Sequence, residues 1–207
     1  MNSTKLKILT NSLDLFNQDG ISNVSLRLIA DKVGISVGNL QYHFKKREDI
    51  IEALYFQLVE EIDGITFEPS ENMLKSILKI STQVFTKMYL YRFFLLDFVS
   101  ITRKNGKIKE HYSELSKRRV LEFLQVVEVL IQHSTFREER LINEYQGLYK
   151  RIEVMSNFWF SSELIQVDKL DDQCINEYRL MITQSIYPYL TVRGREQYAL
   201  TFPELMS

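Results

Sequence analysis

Apolar residues recur at helical intervals along almost the whole chain. Leu6, Leu9, Leu13 and Phe16 fall at i, i+3, i+7 and i+10, one stripe of a helix that Ile8 and Leu15 widen. Gly20 ends that helix, because glycine adopts the positive φ that often follows a last turn. After the loop Ile21-Ser22-Asn23-Val24, Ser25 stands at an N-cap position. Leu28, Ile29 and Val33 then form the inner face of a second helix, and Ala30 is small enough for a close crossing. Gly34 closes it, Ile35 plugs the core beneath the turn, and Ser36 caps a third helix buried through Leu40 and Phe44. From Glu48 the period resumes with Ile50, Ile51, Leu54, Tyr55, Leu58 and Ile62, while Glu52, Glu60, Glu61 and Asp63 keep the outer side wet. Gly64 and Pro69 break this fourth helix.

A fifth helix follows from about residue 70, with Leu74, Ile77, Leu78, Ile80, Ser81, Val84 and Phe85 inward. Residues 88–101 are almost solidly apolar and aromatic, which predicts one central helix. Residues 103–107, with Gly106, read as a turn. A long amphipathic helix spans about 108–132, and its Lys117-Arg118-Arg119 reads as a solvated face. Two more helices are expected at about 138–166 and 171–190. The fold class is all-α, with about nine helices.

Composition supports this picture. Of 207 residues 45% are hydrophobic, but seven Gly and three Pro leave little of the punctuation that sheets and hairpins need. No apolar run approaches the roughly 18 residues of a membrane helix, and Lys5, Lys7 and Thr10 interrupt Leu6, Ile8 and Leu9 where a signal peptide would be continuous. The single cysteine, Cys174, cannot form an internal disulfide and fits a reducing cytoplasm as a buried small residue. The net charge of −1 hides a split, +4 up to Arg47 and −5 beyond it. That asymmetry suits a polyanion-facing head on a body that faces something else.

The third helix presents Val37, Gly38, Asn39, Gln41, Tyr42 and His43 where an ordinary surface helix would carry more Lys and Glu. Amides and polar aromatic tips donate and accept in fixed directions, as base edges and phosphates require. Two short helices joined by a glycine turn and followed by Lys45-Lys46-Arg47 have the layout of a unit that puts one helix into the major groove.

Residues 25–49 resemble the signature of the tetracycline-repressor (TetR) family of bacterial regulators. Ser25, Ile29, Ala30, Gly34, Ile35, Ser36, Gly38, Leu40, His43, Phe44, Arg47 and Glu48 stand at the matching positions. Gln41 departs from it, occupying the slot where the family usually has tyrosine. The resemblance implies a head over residues 1–47 and an effector-binding, dimerising body over 48–207. It implies that Ser36, Val37, Gly38, Asn39, Gln41 and Tyr42 approach the groove, that Arg27 contacts backbone or a base, and that His43 and Arg47 contact phosphate. Lys45 and Lys46 add field at the start of the fourth helix. A glutamine at 41 suits adenine N6/N7. Blander roles stand beside these: His43 packing within the head, residues 45–47 as a solvated helix start, Gly38 as a loose helix residue, and Arg27 pairing with Asp31 at i+4.

The resemblance further implies a homodimer through the last two long helices, palindromic operator DNA, repression, and release by an elongated or aromatic hydrophobic small molecule that tilts the fourth helix. The body candidates for that effector are Phe94, Phe98, Tyr112, Phe123 and Trp159. No cofactor, metal site or catalytic group is expected. There is no glycine-rich phosphate loop, His-Glu-x-x-His or Gly-x-Ser-x-Gly, and His111 and His133 lie 22 residues apart. The competing reading is a helical protein-interaction adaptor whose head no longer binds DNA.

Overall fold

In the computed structural model, which describes residues 3–68, 70 and 72–206, the described residues form eleven α-helices. These are α1 (Ser3–Asp19), α2 (Leu26–Val33), α3 (Val37–His43), α4 (Arg47–Asp63), α5 (Met73–Leu90), α6 (Arg92–Leu96), α7 (Phe98–Lys104), α8 (Gly106–Gln132), α9 (Glu144–Glu163), α10 (Asp172–Ile186) and α11 (Val192–Thr201). The only extended pairing among them is an isolated antiparallel bridge between Phe136 and Leu190. No helix among them is long and apolar enough to cross a membrane. Pro69, expected to break a helix, lies outside the described residues. The chain divides into two compact units, Met1–Gly64 with Thr86–Glu110, and Ile65–Phe85 with His111–Ser207.

In the first unit α1 packs against α2, α4 and α6. Ile8, Leu9, Leu13, Leu15 and Phe16 are buried, but Leu6 is 46% exposed, so the stripe starts one turn later than its spacing predicts. Leu28 is likewise exposed, because one residue of helix is a rotation of about 100° and Ile29 with Ala30 take the inner position. Aromatic pairs close this core: Phe16 with Phe93 at 5.3 Å and Tyr55 with Phe94 at 5.0 Å between ring centroids.

The single helix expected over 88–101 is instead three pieces. Tyr91 (φ −104°, ψ 28°) and Asp97 (φ −107°, ψ 16°) leave the helical region and separate α5, α6 and α7. The first break has an identifiable partner on α1. The Asn17 side chain donates from Nδ2 to the Leu90 carbonyl at 2.7 Å and accepts from the Phe93 N–H at 3.0 Å. One amide thus satisfies a carbonyl and an N–H at the break, which lets an apolar segment bend without leaving both groups unpaired.

The second unit is built on Met73, Leu74, Leu130, Phe136, Tyr145, Leu148, Ile186, Tyr189 and Tyr198. A stack of Phe85 on Tyr178 at 3.9 Å, flanked by Trp159 and Phe160, forms a further aromatic cluster. Helix α9 starts at Glu144, later than the expected 138, because Arg137 pins the preceding segment. Its guanidinium meets the Glu144 carboxylate at 2.7 and 2.8 Å, and its carbonyl accepts from the Tyr145 hydroxyl at 2.6 Å. Helix α10 ends in the Tyr187–Tyr189 turn at Pro188, and α11, which the periodicity does not predict, follows. Thr191 caps α11 by accepting from the Gly194 N–H at 3.0 Å.

Candidate nucleic-acid interface

The exposed face of α3 is set up by local caps. Ser25 Oγ accepts from the Leu28 N–H at 3.2 Å and starts α2. Gly34 (φ 76°, ψ 37°) ends it in the left-handed region, where a Cβ is disfavoured, and its N–H and that of Ile35 both donate to the Ala30 carbonyl at 3.0 Å. Ser36 Oγ then accepts from the Asn39 N–H at 3.1 Å and starts α3. Only Gly34, Ile35 and Ser36 separate the two helices, and the turn between them is set by the glycine and the serine cap.

Leu40 and Phe44 anchor α3 from below, both buried. Ser36, Val37, Gly38, Asn39, Gln41 and Tyr42 are exposed, Tyr42 at 86%. An exposed phenol on a well-anchored helix presents both a ring face and a hydroxyl to a partner. The Ser36 hydroxyl is engaged as the cap, so its outward role is that of placing α3. His43 is half-buried, and its ring meets that of Tyr42 edge-on at 5.3 Å. Gly38 has open space around its α-carbon, which is where a close backbone approach needs it. Arg27 is exposed, and among the described residues no ion pair joins it to Asp31.

Arg47, for which the resemblance implies a phosphate contact, is engaged by groups of its own unit. Its Nη1 donates to the Ile21 carbonyl at 2.7 Å and to that of Val24 at 3.1 Å, with Nη2 3.6 Å from Glu48. The guanidinium thus closes the α1–α2 loop: it is a second donor to the Ile21 carbonyl, which also accepts from the Val24 N–H at 3.4 Å, and it serves the Val24 carbonyl ahead of α2. The start of α4 is also less open to an anion than its dipole suggests. The Lys46 N–H donates to Asp49 Oδ2 at 3.1 Å, which places a carboxylate at that terminus. The exposed cations there are Lys45 and Lys46.

Helix α4 is fastened within the same unit at two carboxylates. Glu52 accepts from Lys107 at 2.5 Å and Asn105 at 3.1 Å, and the Lys107 hydrogen bond holds its carboxyl below the ordinary range. Glu61 accepts from the Tyr91 hydroxyl at 2.6 Å and pairs with Lys87 at 2.9 Å. Burial works to raise the Glu61 carboxyl, but these two donors outweigh it, and burial together with Glu61 drives the Tyr91 phenol up.

The body candidates fall in different units. Phe94 and Phe98 belong to the first, where Phe94 is buried and stacks on Tyr55, and the half-buried Phe98 meets it at 5.6 Å. Tyr112, Phe123 and Trp159 belong to the second. Trp159 is buried among Phe85, Phe160 and Tyr178. Tyr112 accepts from Asn157 Nδ2 at 2.6 Å, and burial pushes its phenol up to about 12. Phe123 lies 5.5 Å from Tyr149. Sequence reasoning missed the polar seam beside these rings: Tyr112 and Ser116 on α8 meet Asn157 and Glu153 on α9. Its signal is the i, i+4 spacing on both helices, which the stronger apolar stripe obscures.

Known proteins match this arrangement. Residues 8–54 fit the family model described as bacterial regulatory proteins, tetR family, and residues 57–198 fit that of a bacterial transcriptional repressor. The HTH-type transcriptional regulator UidR of Escherichia coli K12 is 29% identical over 90 residues, 40% of this chain and 45% of UidR. The chain spans under half the length of the curated relatives it matches. Among solved structures, a TetR-family transcriptional regulator from Marinobacter aquaeolei VT8 superimposes with a TM-score of 0.84 at 22% identity, covering 99% of this chain and 98% of that one. SmeT in complex with triclosan gives 0.63 at 11% identity, covering 92% and 93%. At those identities the likeness is one of fold. With both family models together accounting for most of its length, the chain belongs to the TetR family of helix-turn-helix, DNA-binding transcriptional regulators.

Proposed function

We infer that this protein is a ligand-responsive repressor that binds palindromic operator DNA as a homodimer. In this reading residues 1–47 are the DNA-binding head, and residues 48–207 bind the effector and dimerise. The carrying observation is the α3 face: Val37, Gly38, Asn39, Gln41 and Tyr42 are exposed on a helix fixed from below by Leu40 and Phe44. Arg27, Lys45 and Lys46 supply phosphate contacts, with His43 reaching the backbone beside Tyr42. Gln41 reads adenine through its amide. Arg47 acts from inside, holding the loop that aims α2.

A single three-helix head contacts few bases, whereas two heads about 34–36 Å apart read successive major-groove faces. The dimer reading is supported by Val154 and Phe158 on α9 and Met181 on α10, large apolar side chains left exposed on the last two long helices. An apolar small molecule as effector is supported by the aromatic content of the second unit and by the triclosan complex of SmeT. Release follows if effector binding moves α4 against its Glu52 and Glu61 fastenings. A coupling of about 1–3 kcal/mol would weaken DNA binding some 5- to 150-fold.

The experiment is a salt titration of binding to duplexes selected by the protein from a randomised library. Phosphate contacts predict log affinity falling linearly with log salt. An adaptor without DNA binding would select no sequence and show no such slope. On a selected site, Gln41→Ala should relax preference at one adenine; unchanged preference at every base removes the role given to Gln41.

A further inference from the structure

Besides the Lys117-Arg118-Arg119 run of α8, a second concentration of cations outside the head lies where α7 meets α8. Arg103, Lys104, Lys107 and Lys109 lie within seven residues that include no acid, in a chain whose portion beyond Arg47 is net −5. They surround the α7–α8 turn, and that turn is tied to α4. Lys107 and Asn105 both reach Glu52, five residues into α4 and so an axial rise of about 7.5 Å from its first residue. A cleft brings the same region together, lined by Ile21, Ser22 and Arg47 and by Ser100, Ile101 and Lys104.

The charge is available there. Lys107 is engaged by Glu52, but Arg103, Lys104 and Lys109 are exposed and, among the described residues, form no ion pair. The acids nearby are few: Asp97 and Glu48 on the cleft, Glu48 lying 3.6 Å from Arg47, and Glu110 exposed on α8. Lys46 is the N-cap of α4, six residues before Glu52, so the turn and the Lys45–Lys46 pair both lie beside the first part of the same helix. The positive surface that starts at Lys45 and Lys46 therefore continues onto the turn. At moderate salt charges act over roughly 8–10 Å, so cations placed along neighbouring turns add to one field.

We propose that the α7–α8 turn is an auxiliary phosphate-binding surface, with Arg103, Lys104 and Lys109 contacting the duplex backbone that flanks the bases read by α3. The inference rests on the DNA-binding reading above and adds contacts outside the helix-turn-helix. Such contacts position the protein and add affinity without adding sequence preference. They also extend the footprint beyond the selected bases.

The test compares the full chain with Arg103→Ala/Lys104→Ala and with Lys117→Ala/Arg118→Ala, a control of equal charge change on α8 in the second unit. The probes are a long duplex carrying the site selected by the parent, and that duplex trimmed to the selected core. On the long duplex, the turn variant should flatten the plot of log affinity against log salt by about 0.9 for each phosphate it no longer neutralises. Its base preferences should match the parent's, and on the trimmed duplex its deficit should vanish. A slope equal to that of the parent and the control overturns the proposal. So does a lowered melting temperature with an unchanged slope, which would mean that Arg103 and Lys104 only complement the C-terminal dipole of α7. A parent that binds neither duplex overturns the DNA-binding reading and this one together, whereas a salt-dependent parent with an unaffected variant overturns this one alone.

Discussion

Replacing Asn17 with alanine removes the one side chain that serves both sides of the α5–α6 break. Two groups are deprived of a partner: the Leu90 carbonyl, bonded at 2.7 Å, and the Phe93 N–H, bonded at 3.0 Å. They are not equal. Leu90 is exposed, so water can replace the amide at its carbonyl and the deficit there is that of an ordinary hydrogen bond, about 0.5–1.5 kcal/mol. Phe93 is buried, so its N–H is left without a substitute and costs about 1–3 kcal/mol. Asn17→Ala should therefore destabilise the protein by about 2–4 kcal/mol. For a chain of this size that is a fall in Tm of roughly 5–15 °C. Asn17→Asp keeps an acceptor for the Phe93 N–H and should be the milder change, because only its approach to the Leu90 carbonyl turns repulsive. The assay is thermal unfolding followed by circular dichroism at fixed protein concentration, with hydrogen exchange at the Phe93 amide as a local readout. An Asn17→Ala protein that melts within about a degree of the parent, with Phe93 protection intact, would refute the account of the break.

Tyr42→Ala should leave stability within about 0.5 kcal/mol, since the ring is exposed, yet weaken binding to the selected duplex by about 1–3 kcal/mol; parallel melting and titration check both halves. The Arg137 hydrogen bonds, with the Arg140 N–H, hold the Glu144 carboxyl at about 2. That lies below its unfolded value of about 4.3, so its stabilisation is complete above that pH and is lost as pH falls towards 2. The urea midpoint of the parent should accordingly drop more steeply between about pH 5 and pH 3 than that of Glu144→Gln, and parallel curves would show that the pair does not contribute. At Gly194 an added methyl would overlap the Thr135 carbonyl oxygen, a backbone atom that cannot swing aside. Gly194→Ala should cost about 1–3 kcal/mol in equilibrium denaturation, and a neutral result would mean that α11 is free to shift.

Legibility in the sequence follows the range of the interaction. Ser25, Gly34 and Ser36 act on groups within four or five residues, so the α2–α3 turn can be read from spacing, and the exposed face of α3 follows from Leu40 and Phe44 pointing the other way. For Arg47 the resemblance implies a phosphate contact, with a solvated helix start as the blander role. Its actual acceptors are the carbonyls of Ile21 and Val24, more than twenty residues back. Leu6 and Leu28 sit correctly on a helical period but at the edge of the buried arc, and period alone does not say where that arc ends. Helix α11 is hidden from the pattern because Val192 and Leu200 are exposed and its buried side is only Gly194 and Tyr198, too short a stripe to detect.

What the amino-acid order alone determined, then, was an all-helical chain with a capped, glycine-turned reading helix at its front and a family assignment drawn from it. Caps, turns and amphipathic periods depend on near neighbours, and near neighbours are written in order. Tertiary structure alone decided that 88–101 breaks at Tyr91 and Asp97, that Asn17 receives the ends of the first break, that Arg47 donates to the carbonyls of Ile21 and Val24, and that the α7–α8 junction is tied to α4 through Glu52. Each of these pairs groups far apart along the chain. Which distant donor meets which acceptor depends on how the helices pack, and packing is settled by the sum of many contacts rather than by any local pattern.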